Sequence, residues 1–232
     1  MPDTVPIDDV RALMAIALAG LLLLLRLDAF RFGAAEFDTE PTRDGGGSAF
    51  LRVSWPVLAV ALTAGVGVLL PAGLPAIGFG SDGAAVMIWA VCGAAIGIGA
   101  VLCVAYLRDP VWPPRRRSPD GSARLALDAV GTAVVDELTF RGVLLGLLLL
   151  AGVPPIAAFT LQLLAYGLET RLGRSRATVA LLAEALALGA LMGVLVLVSG
   201  SVLAPLLAHA AIRFAALDVE GGVPPLLPPR LA

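Results

Sequence analysis

Apolar residues gather into seven long runs, at roughly 10–27, 55–74, 84–107, 125–151, 154–171, 177–199 and 201–217, separated by short polar connections. Each run is close to the ~20 residues that a helix needs to cross the hydrocarbon core of a bilayer. None alternates apolar and polar positions with a period of two, so strands of an outer-membrane barrel are not predicted. The first run could be mistaken for a cleavable signal segment. Its leader "MPDTVPIDDV" is acidic, however, and no small-residue cleavage site follows "LAGLLLLLRLDAF", so it reads as a retained helix.

Composition agrees with the pattern. A mean hydropathy of +0.93, with 59% apolar and 15% charged residues, lies outside the soluble range. The fold class is all-α: a polytopic helical membrane protein of about seven transmembrane helices. Charge then supplies an orientation. Lysine is absent, and the arginines fall in alternate connections: Arg26, Arg31, Arg43 and Arg52 in the first, Arg108, Arg115, Arg116, Arg117 and Arg124 in the third, Arg174 and Arg176 in the fifth. The connections between them carry none. The positive-inside rule therefore puts loops one, three and five in the cytoplasm, the N-terminus outside and the C-terminus inside, with a bacterial plasma membrane as the expected location.

Other features change the picture less. Cys92 and Cys103 lie on one predicted helix about 16 Å apart, too far for a disulfide. No Cys/His cluster points to a metal, and the net charge of −2 gives no reason to expect nucleic acid. Gly93, Gly97 and Gly99 suggest a face for close helix packing. Residues 34–50 read as a mobile cytoplasmic loop, and 218–232 as a disordered Pro-rich tail.

The chemistry concentrates in "VVDELTFRGVLL", residues 134–145, where Asp136, Glu137 and Arg141 stand inside an apolar run. On an α-helix Glu137 and Arg141 are i and i+4, in the favoured order for an ion pair, and that pair alone reads as structural. Asp136 is turned about 100° away and must find its partner on another helix. An ionisable group at this depth costs at least ~2.5 kcal/mol, which argues for a place in the bundle interior and for a role. His209, the sole histidine, and Arg213 lie one turn apart in "LLAHAAIRF". Asp136 is about 16 Å and His209 about 12 Å in from the cytoplasmic ends of their spans, so the two can share one site. Glu184 and Asp128 are further intramembrane acids. Glu169 and Thr170 end the fifth span, and Glu169 beside Arg171 suits an exposed helix end.

The order "DELTFRG", "LQLLAYGLET", "GALMGVLVLVSGSVLAPLLAHAAIR" resembles the CPBP family of intramembrane proteases, which includes the type II CAAX prenyl endopeptidases and bacteriocin-processing and immunity proteins. The resemblance covers about residues 125–217. It implies a four-helix protease core there, accessory membrane helices over 1–124, and a tail over 218–232. The family motifs are EExxxR, FxxxH and HxxxN. They place Asp136 at the water-activating glutamate, Glu137 and Arg141 at the motif's second acid and arginine, and Tyr166 at the second motif's Phe. Thr170 falls at that motif's His, which helps to hold the water; His209 falls at the third motif's His, and Arg213 at its oxyanion-binding Asn. Asp keeps a carboxylate but shortens it by a methylene, and ~1 Å of misplacement can cost ~10²-fold in rate. Thr170 removes an imidazole. Arg213 could hold an oxyanion, or could lock Asp136 into a salt bridge.

Three functions stay open at this point. One is an intramembrane endopeptidase acting on a membrane protein or lipid-modified peptide near the cytoplasmic leaflet. Another is a catalytically impaired relative that binds a membrane protein as a scaffold or immunity factor. The third, a proton-linked transporter, lacks the inverted repeat it would call for. The residues call for no cofactor, and analogy with the family leaves a divalent metal open.

Overall fold

The computed structural model describes residues 9–32, 49–71, 73–80, 83–108, 122–172 and 179–218. Residues 34–48 of the loop read as mobile, residues 219–232 of the tail, and the arginines at 115–117, 174 and 176 lie outside them; Ala49 and Phe50, read as loop, instead open a helix, and Asp218 closes one. The described chain is a helical bundle: α1 (Asp9–Leu27), α2 (Ala49–Leu69), α3 (Gly83–Arg108), α4 (Ser122–Asp136), α5 (Leu145–Leu150), α6 (Pro155–Leu172), α7 (Val179–Ser199) and α8 (Leu203–Asp218). A π-helical stretch, Glu137–Leu144, joins α4 to α5 into one rod, which leaves seven helical rods among the described residues.

By length and composition, Asp9–Leu27, Phe50–Leu69, Gly83–Cys103 and Leu182–Ser199 are long and apolar enough to cross a membrane, and Leu203–Ala216 is a shorter apolar helix. The α4–α5 rod and α6 carry the acids and arginines of the motifs, which lower their hydropathy. The bundle's outer surface is apolar, with Val68 82% and Ile156 83% exposed, as lipid-facing positions require. The protein is an integral membrane protein.

Close approaches fix the packing around the rod. Gly93 and Gly97 of α3 are buried against α7 and α8, where an added methyl would strike Leu195 and Ile212. Gly99 is exposed and meets nothing, so the packing face expected of the three glycines is built from two. A short 3₁₀ turn, Leu74–Ile77, folds back from α2 onto the rod. A Cβ on Gly146 would lie 3.0 Å from the Ala76 carbonyl oxygen and 3.1 Å from Ile77 Cα. Gly78 (φ 87°) takes a left-handed conformation, and its carbonyl accepts a hydrogen bond from Val202 N–H at 2.9 Å. This connection ties the α2–α3 turn to the α7–α8 turn, where Gly200 (φ 66°) reverses the chain. Near the other end, α1 packs on α2, and Trp55 Nε1 donates to the Leu25 carbonyl at 3.0 Å.

Candidate active site

The rod occupies the centre of the bundle, and its middle is buried on all sides. Glu137, Leu138, Thr139, Phe140, Arg141, Gly142 and Val143 are all buried, between α1, α2, α6 and α7. Within this stretch the backbone bonds five residues back rather than four. The Leu145 N–H, for example, donates to the Phe140 carbonyl. Short π segments of this kind often mark functional sites. Thr139 marks the changeover, because its hydroxyl donates to the Val135 carbonyl at 2.6 Å, a side-chain bond that competes with the backbone ladder. The expectation of a plain α-helix through residues 134–145 is therefore corrected at Glu137.

Two ion clusters meet at Asp136 and Glu137. The first was not legible as a cluster in the sequence. Arg26, near the C-terminal end of α1, donates from Nε to Asp136 Oδ1, and its Nη1 lies 3.2 Å from Glu169 Oε1. Its guanidinium also lies 5.9 Å from the Trp55 ring centroid. Glu169 is 3% exposed, which corrects the reading of it as an exposed helix end. The reason is Arg26, which draws the acid inward. Its sequence position places the arginine in the first connection, but it is 2% exposed and packs in this cluster.

In the second cluster Glu137 Oε1 is shared. It lies 2.7 Å from His209 Nδ1 and 3.4 Å from Arg141 Nη1. A carboxylate only accepts, so Nδ1 is assigned the proton and the imidazole orientation is set by Glu137. Arg141 stacks 4.3 Å above Tyr166, whose ring meets Phe140 edge-on at 5.1 Å, and reaches the Gly189 carbonyl at 3.3 Å. Gly189 makes that possible, since a Cβ there would come within 2.9 Å of the Tyr166 ring.

Among the sequence-predicted residues, Asp136, Glu137, Arg141, Tyr166, Glu169 and His209 lie in these two clusters, but their pairing differs from the simplest expectation. His209 pairs with Glu137 rather than Asp136, and Asp136 takes its cation from α1. Arg213 is buried on α8, one turn beyond His209. Thr170 stands in the last turn of α6, and its side chain lies outside the described residues. Sequence reading missed Gln162, a fully buried amide on α6 one turn before Tyr166. A lone glutamine inside "LQLLAYG" was the available signal.

Charge explains why so many ionisable groups share this interior. Asp136, Glu137 and Glu169 stand with Arg26, Arg141 and Arg213, all at most 3% exposed, so acids and guanidiniums balance in number. Unpaired, any one of them would be costly at this depth. No group of three or more His, Cys, Asp or Glu side chains among the described residues is placed to hold a metal ion. The carboxylates here turn to guanidiniums, an arrangement that does not fit a divalent cation.

A buried, charge-balanced polar centre inside a bundle of membrane helices defines the class, a polytopic membrane protein with a candidate intramembrane site. Residues 120–215 match the family described as Type II CAAX prenyl endopeptidase Rce1-like, which supports the resemblance to the CPBP intramembrane proteases. No curated protein and no solved structure matches the chain. The matched segment holds Asp136, Glu137, Arg141, Glu169, His209 and Arg213, and Arg26 lies outside it.

Proposed function

We propose that the chain is an intramembrane endopeptidase that hydrolyses a membrane-associated or lipid-modified protein near the cytoplasmic leaflet. One observation supports this above the others. Asp136 is fully buried with Oδ1 held by Arg26, while Oδ2 has no hydrogen-bond partner among the described residues. A carboxylate fixed by one oxygen and open at the other suits a positioned base. In this reading Asp136 takes a proton from water as the water oxygen attacks the scissile carbonyl carbon. His209, oriented through Nδ1 by Glu137 and donating from Nε2 as the imidazolium, and Arg213 stabilise the oxyanion. The proton passes to the leaving nitrogen as the C–N bond breaks, giving a carboxylate and an amine.

A second reading, a relative that binds a membrane protein without turnover, is favoured by Arg26, which competes with water for Asp136. Purified protein in liposomes, offered a prenylated CAAX-type peptide and peptides from co-expressed membrane proteins, separates the two. Cleavage is expected, and Asp136→Asn should lower it by ~10²–10⁴-fold, the usual contribution of a positioned acid or base. Cleavage that survives Asp136→Asn or His209→Ala would remove the assigned base or oxyanion donor. A native chain with no cleavage, gaining it on Asp136→Glu, Thr170→His and Arg213→Asn together, would establish the binding role instead.

The orientation is part of the same proposal, because it puts the site in the cytoplasmic half. Cysteines at Ser48, Ser118 and Ser175, with Cys92 and Cys103 replaced, should resist an impermeant thiol reagent in intact cells. Labelling at position 118 from outside would reverse the topology.

A further inference from the structure

From Asp136 of the first ion cluster, a line of buried polar groups runs back between α2 and α4. Asp128, Thr132 and Asp136 follow at i, i+4 and i+8 on α4, so they share one face over about 12 Å. They are 4%, 0% and 0% exposed. Facing them is the buried stripe of α2, which reads Arg52, Trp55, Ala59, Thr63, Val66. Ala59 and Val66, on either side of Thr63, pack in one apolar cluster with Val135. At the entrance to the line, Arg52 Nη1 and Asp128 Oδ2 stand 3.8 Å apart, an ion pair too long for a direct hydrogen bond.

The polar atoms along this seam are short of partners. Thr132 Oγ1, Thr63 Oγ1, Arg52 Nε and Asp136 Oδ2 are buried with no hydrogen-bond partner among the described residues. One such atom is tolerable, but four along one helix–helix seam, in line with an over-long ion pair, call for a common partner. Buried water commonly fills that role, making about three hydrogen bonds to groups that would otherwise go unsatisfied. A polar contact wider than ~3.5 Å is also where a bridging water is expected.

We infer that the α2–α4 seam holds a file of water molecules that leads from the Arg52–Asp128 pair, past Thr132, to the open oxygen of Asp136, with Thr63 just beyond its inner end. The hydration stands on the geometry alone. Its use, to deliver the water that is split, rests on the proposed hydrolysis. The file would reach Asp136 along α4, from the start of the rod.

Radiolytic footprinting of the full chain in detergent tests the hydration, since hydroxyl radicals made from water oxidise only residues that water reaches. Thr132→Cys and Ala133→Cys place the same thiol at adjacent positions that are both fully buried. Read peptide by peptide, Thr132→Cys should oxidise several-fold faster than Ala133→Cys. Equal rates would overturn the file. Thermal unfolding of Thr132→Val and Thr63→Val gives a second measurement should a cysteine variant fail to fold. Val keeps the shape and removes the hydroxyl, so in a dry seam it relieves an unsatisfied group and raises the unfolding midpoint. In a wet seam it strands a water and lowers that midpoint; a raised midpoint would overturn the inference. Pairing the footprint with the peptide-cleavage assay on the same native preparation separates the two ideas. A native chain whose seam is wet but which cleaves no peptide would leave the water file standing and remove only its catalytic use.

Discussion

Arg26→Met should be among the most damaging single substitutions in the chain, although it lies outside the segment that carries the family motifs. The arginine stands between Asp136 and Glu169, and removing it leaves two buried carboxylates facing each other without the cation that joins them. Breaking a buried pair by deleting one partner typically costs ~3–5 kcal/mol. Met fills much of the same volume, so the loss isolates charge rather than packing. Adding Asp136→Asn to Arg26→Met should recover part of the loss, because the two side chains interact directly and their effects will not add. The measurement is a double-mutant cycle on unfolding in mixed micelles. Strict additivity would mean that the contact contributes nothing.

A second large effect separates two neighbouring acids. Glu137→Ala should reduce folded protein more than Asp136→Ala. Glu137 is the shared acceptor of His209 and Arg141, so its loss leaves Arg141 without its acid and removes the carboxylate that meets His209 Nδ1. We expect ~3–5 kcal/mol, the range for an uncompensated buried charge. Asp136→Ala leaves Arg26 with Glu169 as partner and should cost only ~1–3 kcal/mol, the range for one buried hydrogen-bonding group. Glu137→Gln should fall between, since its amide oxygen can still accept from Nδ1. Folded yield by size-exclusion chromatography ranks the three, and equal losses for the two alanine variants would contradict the assignment.

How far the sequence carried these conclusions depends on what each residue type can signal locally. The helical bundle was legible because every span is a long apolar run, and length and hydropathy are properties of the run itself. The Glu137–Arg141 pair was legible for the same reason, being four positions apart on one helix. The partner of Asp136 was not. Arg26 comes from 110 positions earlier, and an arginine at the end of an apolar run looks the same whether it faces a cytoplasmic loop or turns inward. Glu169 went the same way: its burial follows from Arg26 and could not be read before that contact was known. The π segment was hidden because its residues have ordinary helix propensities. It is stabilised by surroundings supplied by the other helices.

That widened stretch also bears on how the span fits a bilayer. Wound as a uniform α-helix, Ser122–Leu150 would be about 43 Å long, against a hydrocarbon thickness of ~30 Å. A ring closed five residues back encloses one residue more than an α ring, so the chain advances less along the axis for each residue spent. The rod is therefore shorter than its residue count implies, and the mismatch left for tilt or for protruding ends is smaller. Depths counted at 1.5 Å per residue hold up to Asp136 and run too deep beyond it.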